Sequence, residues 1–206
     1  TLVGVPEGVD PSKDLDLEVF GIAGDELPAM LGAIGRVEPV GRAFPVYKLG
    51  PIDVALPRRE SKSGRGHTAF TVQGDPHMSF EDAARRRDFT MNAISWDPLT
   101  DEYVDPFHGR ADLAAKRLRV VDRRTFADDS LRVLRALQFA ARFEATLDDQ
   151  AVAICRGIRL DDLPAERLWG EFEKLLLLAE RPSIGFALAR ALGTVEQVLP
   201  EMVSLY

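Results

Sequence analysis

The chain has 206 residues, 46% of them hydrophobic, with 16 Gly and 13 Pro, which suffices for one large domain or two small ones around a real core. No apolar run approaches the ~20 residues of a membrane span and no signal-peptide pattern opens the chain, so no membrane partner is expected. A net charge of −7 speaks against a protein that grips nucleic acid over its whole surface, and a single cysteine, Cys155, excludes an internal disulfide and fits a reducing, cytoplasmic compartment.

In chain order, residues 14–20 alternate strictly and predict a half-buried strand, with Leu15, Leu17 and Val19 on one side and Asp14, Asp16 and Glu18 on the other. Residues 25–35 predict a short helix ending at Gly35. Further strands are expected at 37–40, 44–49 and 52–56, punctuated by Gly41, Gly50 and Pro51. Residues 57–79 are polar and read as a long loop with at most a short strand at 70–72. From about residue 80 the pattern is helical: 81–87 leads into 88–95, and 97–101 reads as a turn. The longest helix is expected at 128–143, with Leu131, Leu134, Leu137 and Phe139 to Phe143 as its apolar stripe and Arg132, Arg135 and Arg142 near the opposite side. Helices are also expected at 148–157, 164–179 and 183–193. The fold class is therefore α+β: a small mixed sheet with helices as the head, followed by an all-helical neck.

Charge is unevenly spread. Residues 1–55 carry 4 Lys/Arg against 9 Asp/Glu, residues 110–142 carry 9 against 4, and residues 143–206 carry 6 against 11. A basic block between acidic ones can face a polyanion, or can be a solvated helix face. Asp14 and Asp16, two apart on a strand, share a face at ~6.5–7 Å. Two such carboxylates can bracket a pair of Mg²⁺ ions ~3.5–4 Å apart, the arrangement used for in-line phosphoryl transfer. They can equally be an exposed acidic strand face. Asp53, on the alternating strand at 52–56, can supply a third carboxylate. His67, His77 and His108 form no metal-ligand grouping, which speaks against zinc, and no glycine-rich P-loop motif occurs. Arg58, Arg59, Lys62, Arg65 and His67 can touch RNA phosphates or simply make a solvated loop.

Five stretches in register resemble the class II tRNA nucleotidyltransferase (CCA-adding enzyme) and bacterial poly(A) polymerase family of the polymerase-β superfamily. Lys13-Asp14-Leu15-Asp16 is similar to its metal motif, Arg86 to Ala93 (Arg-Arg-Asp-Phe-Thr-Met-Asn-Ala) to its ribose motif, and Asp105 to Leu113 to its hinge motif. Asp128-Asp129-Ser130-Leu131-Arg132-Val133-Leu134-Arg135 is similar to the base-recognition motif, and Glu166 to Glu171 to the neck motif. The resemblance covers nearly the whole chain. It implies a polymerase-β-like head over residues 1–110 and a neck binding RNA and nucleotide over 111–206. It further implies catalytic Asp14, Asp16 and Asp53, with two Mg²⁺ on Asp14 and Asp16, and nucleotide binding by Arg87, Asp88, Asn92, Asp129, Arg132 and Arg135. The implied substrates are CTP and ATP and the partner is the tRNA 3′ end, with no DNA and no membrane.

Asp88 can accept a hydrogen bond from a ribose 2′-OH, the group that separates ribo- from deoxynucleotides, and Arg87 can clamp phosphate oxygens with its planar fork. Asp129 and Arg132, three apart on an expected helix, are read as neighbours. Cytosine and adenine each offer an amino group to the carboxylate and a ring nitrogen to the guanidinium, whereas uracil and guanine invert that pattern. Arg135 is expected to contact phosphates or orient that pair, and Gln138 stands where some members carry another arginine. Glu166, Arg167 and Glu171 are expected to brace the neck, and Trp169 to lie in the core.

The family's first strand and its Gly-Gly-x-Val-Arg-Asp turn are expected to precede Thr1, and helical body and tail domains to follow Tyr206, so these residues alone are expected to be weakly active or inactive. Three readings stay open: CCA addition, poly(A) addition, and a catalytically inactive RNA-binding module of the same fold.

Overall fold

The computed structural model describes residues 15–41, 45–62 and 70–205, and these form two compact units whose segments interleave along the chain. Within the described residues, the first unit takes its parts from before residue 63, from 70–83 and from 96–104, and the second takes 84–95 and 105–205. No helix among the described residues is long and apolar enough to cross a membrane.

The first unit is built on a mixed four-stranded sheet of β1 (Leu15–Glu18), β2 (Glu38–Val40), β3 (Val46–Leu49) and β4 (Ile52–Ala55), in the order β1-β4-β3-β2. β1 runs parallel to β4, and the other pairings are antiparallel. Gly50, at φ 61°, and Pro51 make the two-residue turn that puts Leu49 opposite Ile52, a backbone conformation that suits glycine. Along β4, Ile52 and Val54 are buried while Asp53 and Ala55 lie on the other, half-open side, the period of two expected of a strand. Ile52 and Val54 pack with Leu56 and with Leu27 and Leu31 of α1 (Leu27–Gly32), one helical turn apart, to close a small core. Leu15 and Val19 join that core, but Leu17 remains 41% exposed; among the described residues β1 has a strand neighbour on one side only.

Two parts of the chain depart from the expected pattern. The expected loop at 57–79 contains an antiparallel ribbon of β5 (Arg58–Lys62) and β6 (Phe70–Gly74). The β5 sequence, Arg-Arg-Glu-Ser-Lys, has no apolar alternation, so a search for alternating apolar residues passes over it. Likewise the expected helical stretch 88–95 holds only a 3₁₀ turn at Thr90–Asn92, whereas the expected turn at 97–101 is present and joins a hairpin of β7 (Ser95–Asp97) and β8 (Glu102–Val104). Trp96 Nε1 donates to Asp101 Oδ1 at 3.0 Å across that hairpin turn. Ahead of them, α2 (Phe80–Arg85) starts at a reciprocal cap in which Ser79 Oγ accepts from the Asp82 N–H at 3.0 Å and donates to its carboxylate at 2.9 Å.

The second unit is helical, with α3 (Gly109–Ala114), α4 (Leu131–Phe143), α5 (Asp149–Arg156), α6 (Ala165–Leu178), α7 (Pro182–Leu192) and α8 (Val195–Val198). Its only sheet among the described residues is the short parallel pair β9 (Arg117–Leu118) and β10 (Thr146–Leu147). α4 is the central element: Leu134, Leu137 and Ala140 are buried against α6 and α7 together with Phe172, Leu175, Ala189 and Leu192. Gly185 permits the close approach of α7, because a Cβ there would stand 2.9 Å from the Leu137 carbonyl oxygen and 2.5 Å from Leu175 Cδ1. Cys155 is buried in the same core, and burial pushes its thiol up to about 12, which removes it as a nucleophile at neutral pH. Trp169, expected in the core, is 61% exposed: α6 buries the face of Phe172 and Leu175, and Trp169 lies off it.

Gln138 lies on the inner side of α4, 1% exposed, with both amide heavy atoms lacking a hydrogen-bond partner among the described residues. A buried unsatisfied polar group costs about 1–3 kcal/mol. Gln138→Met, which keeps the shape and removes the amide, is therefore expected to raise stability by about 1 kcal/mol or more in urea-induced unfolding. An unchanged or lowered midpoint would show that the amide is satisfied in solution.

Candidate functional site

In the first unit, the parallel register of β1 and β4 places Asp16 beside Asp53. Asp16 is exposed, and Asp53 is half-buried. Lys48, opposite Asp53 on β3, holds its Nζ 3.0 Å from Asp53 Oδ1, an ion pair whose geometry makes no aligned hydrogen bond, so that buried oxygen keeps an open lone pair. Asp14 lies outside the described residues. No group of three or more His, Cys, Asp or Glu gathers among the described residues. Asp16 and Asp53 nonetheless form an adjacent pair of carboxylates, the hard oxygen donors that Mg²⁺ prefers.

In the second unit, the ribose-motif residues turn around Asp88. Its Oδ1 accepts from the Phe89 N–H at 2.8 Å and from Asn92 Nδ2 at 2.9 Å, and its Oδ2 accepts from Arg135 Nε at 2.5 Å. Asp88 is 6% exposed, so this is a buried, charge-assisted hub joining the 3₁₀ turn to α4. Arg135, expected to contact phosphates or orient the Asp129–Arg132 pair, is bonded to Asp88 and lies over the Phe139 ring at 4.8 Å. Beside the hub, burial, aided by the neighbouring Arg87 charge, lowers Arg86 to about 10, which still leaves it cationic at neutral pH.

Asp129 and Arg132 are not partners. α4 begins at Leu131, after a 3₁₀ turn over Phe126–Asp128, and Asp129 sits between them with extended backbone angles of φ −124° and ψ 106°. The three-residue spacing therefore does not stack the two side chains on one helix. Asp129 Oδ1 accepts from the Leu131 N–H at 3.2 Å, and Oδ2 accepts from Arg167 Nη2 of α6 at 2.9 Å. Arg132 instead donates from Nη1 to the Thr125 carbonyl oxygen at 3.0 Å and from Nη2 to the Arg86 carbonyl oxygen at 2.9 Å. Glu171, one turn after Arg167, is buried and accepts from Lys174 Nζ at 2.8 Å.

A second buried anchor lies behind the ribose motif. Asp112 of α3 is fully buried; it accepts from Thr90 Oγ1 at 2.7 Å, from Arg119 Nε at 2.8 Å, and from Arg117. Burial opposes its ionisation, but the bonds from Thr90, Arg117 and Arg119 outweigh it and hold its carboxyl below the usual range. Asp105 caps the start of α3, accepting from the Gly109 and Arg110 N–H groups at 2.6 and 2.9 Å. The anchoring roles of Thr90 and Asp112 could not be read from spacing, because the two lie 22 residues apart.

Residues 44–119 match the family described as "Poly A polymerase head domain", and residues 151–205 match "Probable RNA and SrmB- binding site of polymerase A". The chain is 40% identical over 206 residues to the "Multifunctional CCA protein" of Stenotrophomonas maltophilia (strain K279a), covering 95% of this chain and 49% of that protein. It is 39% identical over 204 residues to the protein of the same name from Methylobacillus flagellatus, covering 95% and 47%. The chain thus spans about half the length of the curated relatives it matches. A solved structure described as "tRNA nucleotidyltransferase complexed with a primer tRNA and an incoming ATP analog" superposes with a TM-score of 0.64 at 26% identity, covering 85% of this chain and 51% of that one.

Proposed function

Because the chain belongs to the family of tRNA nucleotidyltransferases (CCA-adding enzymes) and bacterial poly(A) polymerases, we propose that it serves template-independent addition of CMP and AMP, from CTP and ATP, to tRNA 3′ ends. In this reading residues 1–110 act as the head, residues 111–206 act as the neck, and the protein works in the cytoplasm.

The observation that carries the reading is the separate anchoring of Asp129 and Arg132. A carboxylate and a guanidinium three residues apart would neutralise each other if they paired. Here each is held by other groups, so the acceptor and the donors both remain available to a base edge. Arg132 uses one N–H of each terminal nitrogen, which leaves three of its five donors. Asp88 accepts three hydrogen bonds of about four a carboxylate can take, which leaves one place for a ribose 2′-OH. Asn92 and Arg135 fix that carboxylate, and Arg87 supplies a guanidinium fork for the triphosphate.

Asp16 and Asp53, with Asp14, would hold Mg²⁺. Bound there, the ions supply charge neutralisation on the triphosphate and activation of the attacking hydroxyl. The side chains of the second unit bind and orient the nucleotide, and they select it by matched hydrogen bonds.

The test is single-nucleotide extension of a tRNA transcript lacking its 3′ end, with each triphosphate separately. The full protein is expected to add CMP and AMP and reject UMP and GMP. Losing one partner of a charge-assisted pair costs about 1.5–3 kcal/mol, so Asp129→Ala is expected to reduce discrimination roughly ten- to a hundredfold with activity retained. Extension with ATP alone, on any RNA primer, would favour poly(A) addition, and absence of extension by the unaltered protein would favour an RNA-binding module.

A further inference from the structure

We infer that Arg167, on α6, is a positioning residue for base selection: it holds the Asp129 carboxylate in place and keeps it from pairing with Arg132. This rests on the reading of Asp129 and Arg132 as the base-selecting groups.

Arg167 begins a helix 38 residues after Asp129, yet its one side-chain hydrogen bond among the described residues is Nη2 to Asp129 Oδ2, at 2.9 Å. Its Nη1 is buried and has no hydrogen-bond partner among the described residues. Glu171, the acidic residue one turn further along α6, accepts instead from Lys174. A guanidinium whose task was to brace the helices around it would spread its donors over carbonyl oxygens and helix ends. This one is spent on a single carboxylate and is 29% exposed, its partner 27%. At that burial the attraction is less screened than for a surface pair.

The effect on Asp129 follows from geometry. Its two oxygens are tied in different directions, Oδ1 to the Leu131 N–H and Oδ2 to Arg167, so the plane of the carboxylate is fixed. Without Arg167 only the 3.2 Å bond to the Leu131 N–H would remain. The carboxylate could then rotate towards the remaining donors of Arg132, three residues on and anchored by the Thr125 and Arg86 carbonyl oxygens. Such a pair would turn the carboxylate out of the fixed orientation in which it receives the amino group of cytosine or adenine. It would also cancel the donors that uracil and guanine cannot match. Discrimination therefore falls before binding of the triphosphate does.

The experiment compares the full protein with its Arg167→Gln and Arg167→Lys variants by kcat and KM for CTP, ATP, UTP and GTP on tRNA lacking its 3′ end, alongside thermal unfolding. Arg167→Gln is expected to lower the CTP-over-UTP and ATP-over-GTP ratios of kcat/KM about tenfold or more, since a site built on matched hydrogen bonds discriminates strongly only while both partners are in place. Arg167→Lys keeps the charge but replaces the planar fork with a point contact, so an intermediate loss is expected. Combining Arg167→Gln with Asp129→Ala is expected to add little to Asp129→Ala alone, because both act through one group. If Arg167→Gln does not fold, the ratio for Arg167→Lys decides. Ratios equal to those of the unaltered protein, with or without a lower melting temperature, would overturn the inference and leave Arg167 as a brace of the neck. Failure of the unaltered protein to extend tRNA with CTP or ATP would overturn the nucleotidyltransferase reading itself, and the inference with it.

Discussion

Asp16→Ala in the full protein is expected to reduce incorporation of CTP and ATP by about a thousandfold, while the melting temperature stays where it was. The two halves of that expectation have separate causes. Asp16 is exposed on β1 and its side chain makes no hydrogen bond or ion pair among the described residues, so its loss falls in the class of surface changes worth within about 0.5 kcal/mol. Its place beside Asp53 across the β1–β4 register gives the proposed Mg²⁺ site one of its anionic walls. Removing a single preorganised electrostatic contact to a transition state costs about 10²–10³ in rate, and a carboxylate that holds the ion belongs at the upper end. Asp53→Ala is expected to act in the same direction, but it also releases Lys48, whose ammonium stands 3.0 Å away. Extension by the Asp16→Ala protein within threefold of normal, at saturating Mg²⁺, would remove Asp16 from the site.

The parts of the fold that could be read from sequence are those where side-chain periodicity does the folding. Ile52 and Val54 announce β4 by alternation, and Leu131, Leu134 and Leu137 announce α4 by helical spacing. The ribbon pairs β5, Arg-Arg-Glu-Ser-Lys, with a β6 in which Phe70 and Val72 alternate, so only β6 leaves an apolar signature. Site residues show the same division. Motif resemblance could single out Asp88, Asp129, Arg132, Arg135 and Arg167, but not whom each one touches. Asp88 meets Arg135 across 47 residues, and Asp129 meets Arg167 across 38; no local rule reaches that far. The shared helical spacing expected of Asp129 and Arg132 is lost for a local reason. A 3₁₀ turn at Phe126–Asp128 delays the start of α4 to Leu131, which leaves Asp129 extended and outside the helix whose spacing would have paired them.

Gly109→Ala is expected to be the most damaging single-methyl change in the second unit. A Cβ at this position would stand 2.0 Å from the Thr90 carbonyl oxygen, 2.6 Å from its carbonyl carbon and 2.9 Å from Ile94 Cγ1. Two of those three atoms are backbone, so no rotamer change relieves the contact. Nor can the two segments separate freely. Thr90 Oγ1 is held by Asp112 at 2.7 Å, Asp112 is held by Arg117 and Arg119, and the Thr90 N–H donates to the Arg119 carbonyl oxygen at 2.9 Å. On the other side, Asp105 ties the Gly109 N–H at 2.6 Å. Overpacking of this kind costs about 1–3 kcal/mol where side chains can shift, and more where they cannot. We therefore expect a loss of about 3 kcal/mol or more, or some 6–12 °C in melting temperature for a chain of this size. The displaced atom belongs to the residue two after Asp88 and two before Asn92, so any protein that still folds should have lost the fixed orientation of the Asp88 carboxylate. Its preference for CTP over dCTP is then expected to fall further than its preference for CTP over UTP, because Asp129 and Arg132 are anchored elsewhere. A Gly109→Ala protein with unchanged melting temperature and unchanged ribose preference would mean that α3 and the Thr90 turn do not meet in solution as they do here.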